Sequence, residues 1–404
     1  MKVLHIIHNR DNKFYNSVIE IFEKTVFSNE YVCIVNDGES VPAIQTDKVR
    51  LVNRSESHML WVRDDIDAFM FHPLHEGTYD WVLSIPSDKI VIDSSWGADL
   101  YYPQATCPPI LQIKLFQKGT MKLVDRLTKN QVSFYKRLRK RIGKIYHHKA
   151  YLEFEEKRQK QHAIDLNKQQ KVLGRIDLWA TPLPIEYEML RTRHHIQAEY
   201  FPFHYAPNDV FSTNDRVVWD DADMILLGNS ADPSNNHVDL LMQLKKRGIL
   251  NHYRLYVPLA YGDNKDYRSR LKQLLKKTMV DCFIQEDFMC VGDYKETLLK
   301  CRVAVFGHLR QQALGNVFLC MMHGSKVFFY KESMVYRYFK SKGASVYSIE
   351  DDLCVKEIET PMTEKEYNAN KQVLQEFSIK HFLPEIEGTL EECYNRKKVC
   401  ELRW

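Results

Sequence analysis

Short apolar runs separated by helical patterns open the chain. VLHIIH (3–8), YVCIV (31–35), VRLV (49–52), AFMFH (68–72) and KIVID (89–93) predict strands, and SVIEIFEKTV (17–26) predicts a helix between the first two. Strand–helix–strand alternation predicts a parallel sheet covered on both faces. KLVDRLTKNQVSFYKRLRKRIGKIYHHKAYLEFEEKRQKQ (122–161) has no proline and one glycine, and predicts one or two long helices. Strand patterns resume at GRIDLWAT (174–181) and AEYFPFHY (198–205), and the turn-formers of APNDVFSTND (206–215) predict a linker.

A second alternation follows. DMILLG (223–228), a helix from His237, YRLYVPLAY (253–261), the helix YRSRLKQLLKKTM (267–279), DCFIQ (281–285), the helix DYKETLLKC (293–301), RVAVFGH (302–308), a helix from Gln312 and KVFFY (326–330) make a complete α/β set. The tail predicts two more helices after residue 362. The division expected is a doubly wound domain over 1–208, a second over 216–362 and terminal helices over 363–404, with a cleft between the two domains and no internal repeat.

Composition narrows the class. A 44% hydrophobic, 27% charged chain of 404 residues supplies two cores and excludes disorder. No apolar run approaches the length of a membrane span; VFLCMM (317–322) is among the best, and the N-terminus reads as a first strand and not a signal peptide. Nine cysteines without a CxxC pair point to reduced thiols and away from structural zinc. The net charge of +4 conceals an asymmetry: residues 118–171 carry sixteen Lys/Arg against five Asp/Glu, so the remainder is net negative by seven. Aromatics interleave with that charge at Phe134, Tyr135, Tyr146, Tyr151 and Phe154. Such a segment suits an anionic membrane surface, with Lys136, Arg137, Arg139, Lys140 and Arg141 as contact residues; a solvated helix is the plainer reading. Nucleic acid is not expected as a partner, since no recognised motif accompanies the patch.

Candidate chemistry lies at strand ends. In doubly wound folds ligands bind beyond the carboxyl ends of strands, near a switch in strand order. GNSADPSNN (228–236) occupies such a place: Gly228 permits close approach, Asn229, Ser230, Ser234, Asn235 and Asn236 are small and polar, and the first turn of the following helix offers N–H groups to a diphosphate. GHLRQQALGN (307–316) repeats the arrangement, with Arg310 as a forked cation and Gln311, Gln312 and Asn316 as hydrogen-bonding groups for a sugar. Tyr261, Gly262 and Glu286, after two further strands, are placed to line a nucleoside pocket. Capping and solvated surface polarity are the alternatives for each.

Together GNSADPSNNH, VPLAYGDNKDY, HLRQQALGN and SSWGADLY (94–101) resemble the bacterial 4-acetamido-4,6-dideoxygalactose (Fuc4NAc) transferases over about Val3–Phe339. The order and joint presence of the four stretches make the resemblance specific. It implies a GT-B fold of two Rossmann-like domains, a dTDP-sugar donor in the second domain and a polyprenyl-diphosphate-linked acceptor at the first. It further implies metal-independent inversion with no cofactor, and a peripheral position on the cytoplasmic face of the bacterial inner membrane. The chain departs from the family in the length of its basic segment.

An inverting transfer needs a general base. Asp99 in SSWGADLY is the leading candidate and Asp11 the second, with His8 and His72 as further options. Asp221 and Asp223 form a DxD, but ahead of a strand, at the end where ligands seldom bind. The adjacent histidines 147/148 and 194/195 make poor chelates. Alternative functions are transfer from a different donor to a soluble acceptor, and polyanion or membrane-surface binding without catalysis.

Overall fold

The computed structural model describes residues 1–7, 15–39, 47–131, 148–205, 216–262 and 264–401. They form two compact units that interleave along the chain. Met1–Gln112, Leu152–Pro207 and Phe377–Trp404 make the first; Ile113–Tyr151 and Asn208–Glu376 make the second.

The first unit is built on strands β1 (Lys2–Ile7), β2 (Ser28–Val35), β3 (Val49–Asn53), β4 (Ala68–His72), β5 (Ile90–Ser94), β6 (Leu178–Ala180) and β7 (Glu199–Tyr200), in the order β3-β2-β1-β4-β5-β6-β7. Every pairing is parallel. β4 and β5 are buried at every residue, as expected of strands covered on both faces. The helix Tyr15–Phe22 presents Tyr15, Val18, Ile19 and Phe22 to this core. From the far end of the sequence, the helix Ile379–Glu401 adds Phe382, Ile386 and Leu390.

The second unit carries β8 (Met224–Leu227), β9 (Arg254–Pro258), β10 (Cys282–Gln285), β11 (Cys301–Phe306), β12 (Lys326–Phe329) and β13 (Tyr347–Ser348), in the order β10-β9-β8-β11-β12-β13, again all parallel. β13 has no counterpart among the predicted strands, since two residues are too few to show a period. In each sheet the order reverses at the first strand, between β1 and β4 and between β8 and β11.

Two parts of the chain fall outside the contiguous division read from the sequence. The basic stretch is shared between the units: the helix Lys118–Gln131 packs Leu123 and Leu127 on the second core, while most of the helix His148–Arg175 belongs to the first. The terminal helices divide likewise, Glu364–Leu374 with the second unit and Ile379–Glu401 with the first. The physical reason is side-chain complementarity, which neither periodicity nor charge reports. The predicted linker 206–215 lies outside the described residues.

Candidate functional site

β8 and β11 are neighbours at the reversal of the second sheet, so the loops leaving their carboxyl ends meet. Gly228 stands at φ +69, and a Cβ there would lie 2.7 Å from His237 Nε2 and 2.9 Å from Asn235 Oδ1. The polar side chains beyond it hold one another. Asn235 Oδ1 accepts the Asn229 N–H (3.0 Å), and its Nδ2 donates to Ser230 Oγ (2.9 Å) and Asp232 O (3.1 Å). Asp232 accepts both the N–H and the hydroxyl of Ser234 (2.8 and 2.6 Å). Asn236, left-handed at φ 54, donates to Gly307 O (2.8 Å) and Leu115 O (3.1 Å) and accepts the Gln117 N–H (2.7 Å). Ser234, Asn235 and Asn236 are fully buried, so their role in this structure is to shape the loop.

Gln312 joins the two loops: its Oε1 is 2.5 Å from Ser234 Oγ and its Nε2 donates to Asn229 Oδ1 (3.0 Å). The backbone fit is as close. A Cβ on Gly307 would sit 2.2 Å from Asn235 O, a position only glycine can occupy. Arg310 is nine-tenths buried and donates from Nη1 to Gln311 O (2.7 Å). Burial first, and then the Arg310 charge, push His308 down to about 3, so it is neutral beside that cation. Gln311 Oε1 is buried without a hydrogen-bond partner among the described residues.

The helix after this loop runs Leu314–His323, two residues later than the sequence predicts, because Ala313 takes a left-handed φ of 62. No side chain caps it and its first turn holds no acid, so its N-terminus retains its attraction for an anion. The helix His237–Lys246 differs, carrying Asp239 in its first turn. Asn316 is engaged by the Tyr294 hydroxyl (3.0 Å).

The β9 loop abuts the β8 loop: Tyr261 O accepts the Ala231 N–H (2.6 Å), and a Cβ on Gly262, at φ +96, would lie 3.1 Å from Asp232 N. The Tyr261 ring centroid is 5.6 Å from that of Phe288. Glu286 is ion-paired with Lys272 (2.6 and 2.7 Å) on the wall of a surface hollow of about 300 Å³ shared with Lys265, Arg268 and Lys276. The structure therefore gathers Gly228, Asn229, Ser230, Ser234, Asn235, Asn236 and Gln312 with the Arg310 loop, and engages Glu286 elsewhere.

In the first unit Asp99 caps the turn after β5, its Oδ1 accepting the N–H groups of Trp96 (3.0 Å) and Gly97 (2.8 Å). Sequence reasoning missed its neighbour Asp93, the buried end of β5. Asp93 accepts the Leu74 N–H (2.9 Å) and the Ser95 hydroxyl (2.6 Å), and Trp179 Nε1 donates to Ser95 Oγ (2.9 Å). Burial, and next the Asp99 carboxylate, push Asp93 up to about 8; burial also raises Asp99. His72 Nε2 lies 3.0 Å from Nδ1 of His5, whose pKa burial lowers to about 4. Asp221 and Asp223 are exposed at the amino end of β8. Asp11 and His8, and the contact residues Lys136, Arg137, Arg139, Lys140 and Arg141, lie outside the described residues. No helix among the described residues is long and apolar enough to cross a membrane.

Known proteins resemble this architecture along its whole length. Sucrose-phosphate synthase from Thermosynechococcus elongatus matches with a TM-score of 0.58 at 10% identity, covering 98% of this chain and all of that one. The Anabaena HepE protein, solved with UDP and glucose, gives 0.58 at 9% identity over 97% of this chain and 100% of its own. The trehalose-6-phosphate synthase of Burkholderia multivorans gives 0.58 at 9% identity, covering 99% and 98%. At such identities the likeness shows the fold, which is GT-B. In sequence, the family described as 4-alpha-L-fucosyltransferase, glycosyl transferase group 56, matches residues 168–382, more than half of the chain, in agreement with the resemblance carried by the loop motifs.

Proposed function

The chain belongs to glycosyl transferase group 56 and is a glycosyltransferase, and from that premise we propose that it moves a deoxy-acetamido sugar from a dTDP-sugar, with inversion and without a metal ion. The acceptor in this reading is a polyprenyl-diphosphate-linked saccharide at the inner-membrane surface of a bacterium. One observation carries the donor assignment. At the reversal of the second sheet, Arg310 stands on the loop leading into the uncapped N-terminus of Leu314–His323. A cation and unpaired first-turn N–H groups together suit a departing diphosphate, whose charge grows as the glycosidic bond breaks. Asp99 is assigned proton acceptance, with its burial raising its basicity.

Thermal melting with dTDP, UDP and GDP tests the donor half. We expect dTDP to give the largest rise, Arg310→Ala to remove most of it and EDTA to leave it intact. Asp99→Asn keeps that rise and lowers sugar transfer by on the order of a hundredfold. No response to any of the three nucleotides would end the nucleotide-sugar reading, and a response lost with EDTA would replace it with a metal-dependent one.

A further inference from the structure

We propose that a basic hollow on the second unit, apart from the donor loops, binds a ligand through its phosphate groups. The hollow encloses about 300 Å³ beside the helix Lys265–Thr278, and Lys265, Arg268, Lys272 and Lys276 line it together with Glu286. None of the β8 and β11 loop residues lines it. The four cations recur at intervals of three and four residues, so they form one row along the helix, about 16 Å from end to end at about 1.5 Å per residue. Tyr267, Leu271 and Leu275 hold the helix to the core while the row stays at the surface. Such a row works against the helix that carries it. Like charges at i and i+4 repel, as Arg268–Lys272 and Lys272–Lys276 do here, and Lys265 sits in the first turn, where the helix dipole disfavours a cation. The helix has six Lys/Arg and one acid, Asp266, so its own sequence leaves most of that repulsion unanswered. An anion in the hollow answers it.

The charge is also unmet within the fold. Of the four cations, Lys272 alone makes an ion pair among the described residues: both oxygens of Glu286 accept from its ammonium (2.6 and 2.7 Å). That pairing neutralises the one carboxylate in the hollow. Arg268 donates from Nη2 to Gly262 O (2.8 Å), which fixes its guanidinium, while its Nε is buried with no hydrogen-bond partner among the described residues. A buried N–H on a cation costs stability until an acceptor reaches it. Ser269 and Gln273, which also line the hollow, add neutral donors. A forked guanidinium flanked by ammonium groups suits the several oxygens of a phosphate, more than a single carboxylate would fill.

Calorimetric titration with inorganic pyrophosphate, on the full chain saturated with dTDP, reads the hollow with the donor site filled. We expect binding that persists with dTDP present and in Arg310→Ala. It should fall about tenfold or more in the double variant Lys265→Gln/Lys276→Gln, and weaken as salt screens the row. The double variant should melt no lower than wild type, because it removes repulsion and no packing. Pelleting with phosphatidylglycerol vesicles then identifies the source of the phosphate. Weaker pelleting of the double variant assigns a lipid headgroup, and unchanged pelleting a soluble phosphate compound. Absent pyrophosphate binding, or equal affinity in wild type and the double variant, overturns the proposal. Binding that vanishes with dTDP or in Arg310→Ala overturns it as well, since the anion then belongs to the donor loops. A protein whose pyrophosphate binding depends on Lys265 and Lys276, but which binds none of dTDP, UDP and GDP, keeps the hollow and loses the donor reading instead.

Discussion

Asp93 and Asp99 are two buried carboxyl groups grouped around the hydroxyl of Ser95. Two like charges in so dry a place cannot both be present, so the pair retains a proton at neutral pH. The consequence for stability has a definite sign. Unfolded aspartates ionise near 3.9, whereas Asp93 in the fold holds its proton up to about 8. Across that window the unfolded state gives up a proton that the folded state keeps. Stability from this group is therefore complete below about pH 4 and lost as pH rises toward 8, by on the order of 1 kcal/mol per pH unit. Asp93→Asn copies the protonated acid in shape and does not titrate. Its melting temperature relative to wild type should rise from pH 5 to pH 8; a difference that stays constant across that range would show that Asp93 is already ionised in the fold. Asp99 drew attention in the sequence because SSWGADLY sets an acid in a glycine turn after a strand, and in the structure it caps that turn. Asp93 did not: in KIVID it looks like the polar end of an apolar strand, and only the pairing of β5 with its neighbours shows which group it faces.

At the scale of elements, the alternation of strand and helix was readable because strands buried on both faces are nearly continuous apolar runs. Where helices begin was less so. HLRQQ predicts a helix from Gln312, yet Gln312 is drawn into the bridge between the β8 and β11 loops, and the helix waits until Leu314. The start of the helix Lys118–Gln131 was also hidden, because it depends on a residue far along the chain. Asp239 accepts the first-turn N–H groups of Gly119 and Thr120, one on each carboxylate oxygen, both at 2.7 Å. A Cβ on Gly119 would stand 2.8 Å from Asp239 Oδ1, so glycine is what lets the carboxylate approach. Asp239→Asn turns one acceptor into a donor aimed at an N–H, and should cost about 2 kcal/mol, lowering the melting temperature by several degrees. Gly119→Ala should lose a comparable amount by displacing the same contact. Wild-type melting of both variants would mean that the helix docks through Leu123 and Leu127 alone.

At the scale of the molecule, two doubly wound domains followed from element order, while their interleaving did not. The charge pattern shows why the second matters. The basic stretch read as one functional segment divides between two units, its start anchored by Asp239 and Asn236 in the second. In the first unit Lys157, Arg158 and Lys160 are exposed, and so are the apolar Leu152 (53%) and Ile164 (59%) on the same helix. Cations with apolar residues among them suit an anionic bilayer, each cation near the surface contributing about 1 kcal/mol. A chain negative elsewhere would otherwise be repelled by such a surface. The lipid-linked acceptor proposed here therefore leads to a quantitative expectation. The protein should bind vesicles of anionic lipid, not neutral ones, and release as salt shortens the screening length from about 10 Å at 0.1 M. Replacing Lys136, Arg137, Arg139, Lys140 and Arg141 together with Gln should weaken vesicle binding while leaving the melting temperature and the dTDP response unchanged. The same variant should be slow with an acceptor embedded in a bilayer and near normal with a short-chain soluble analogue. Vesicle binding that survives the five substitutions would assign the segment to solvent, and equal slowing on both acceptors would place those side chains at the reaction itself.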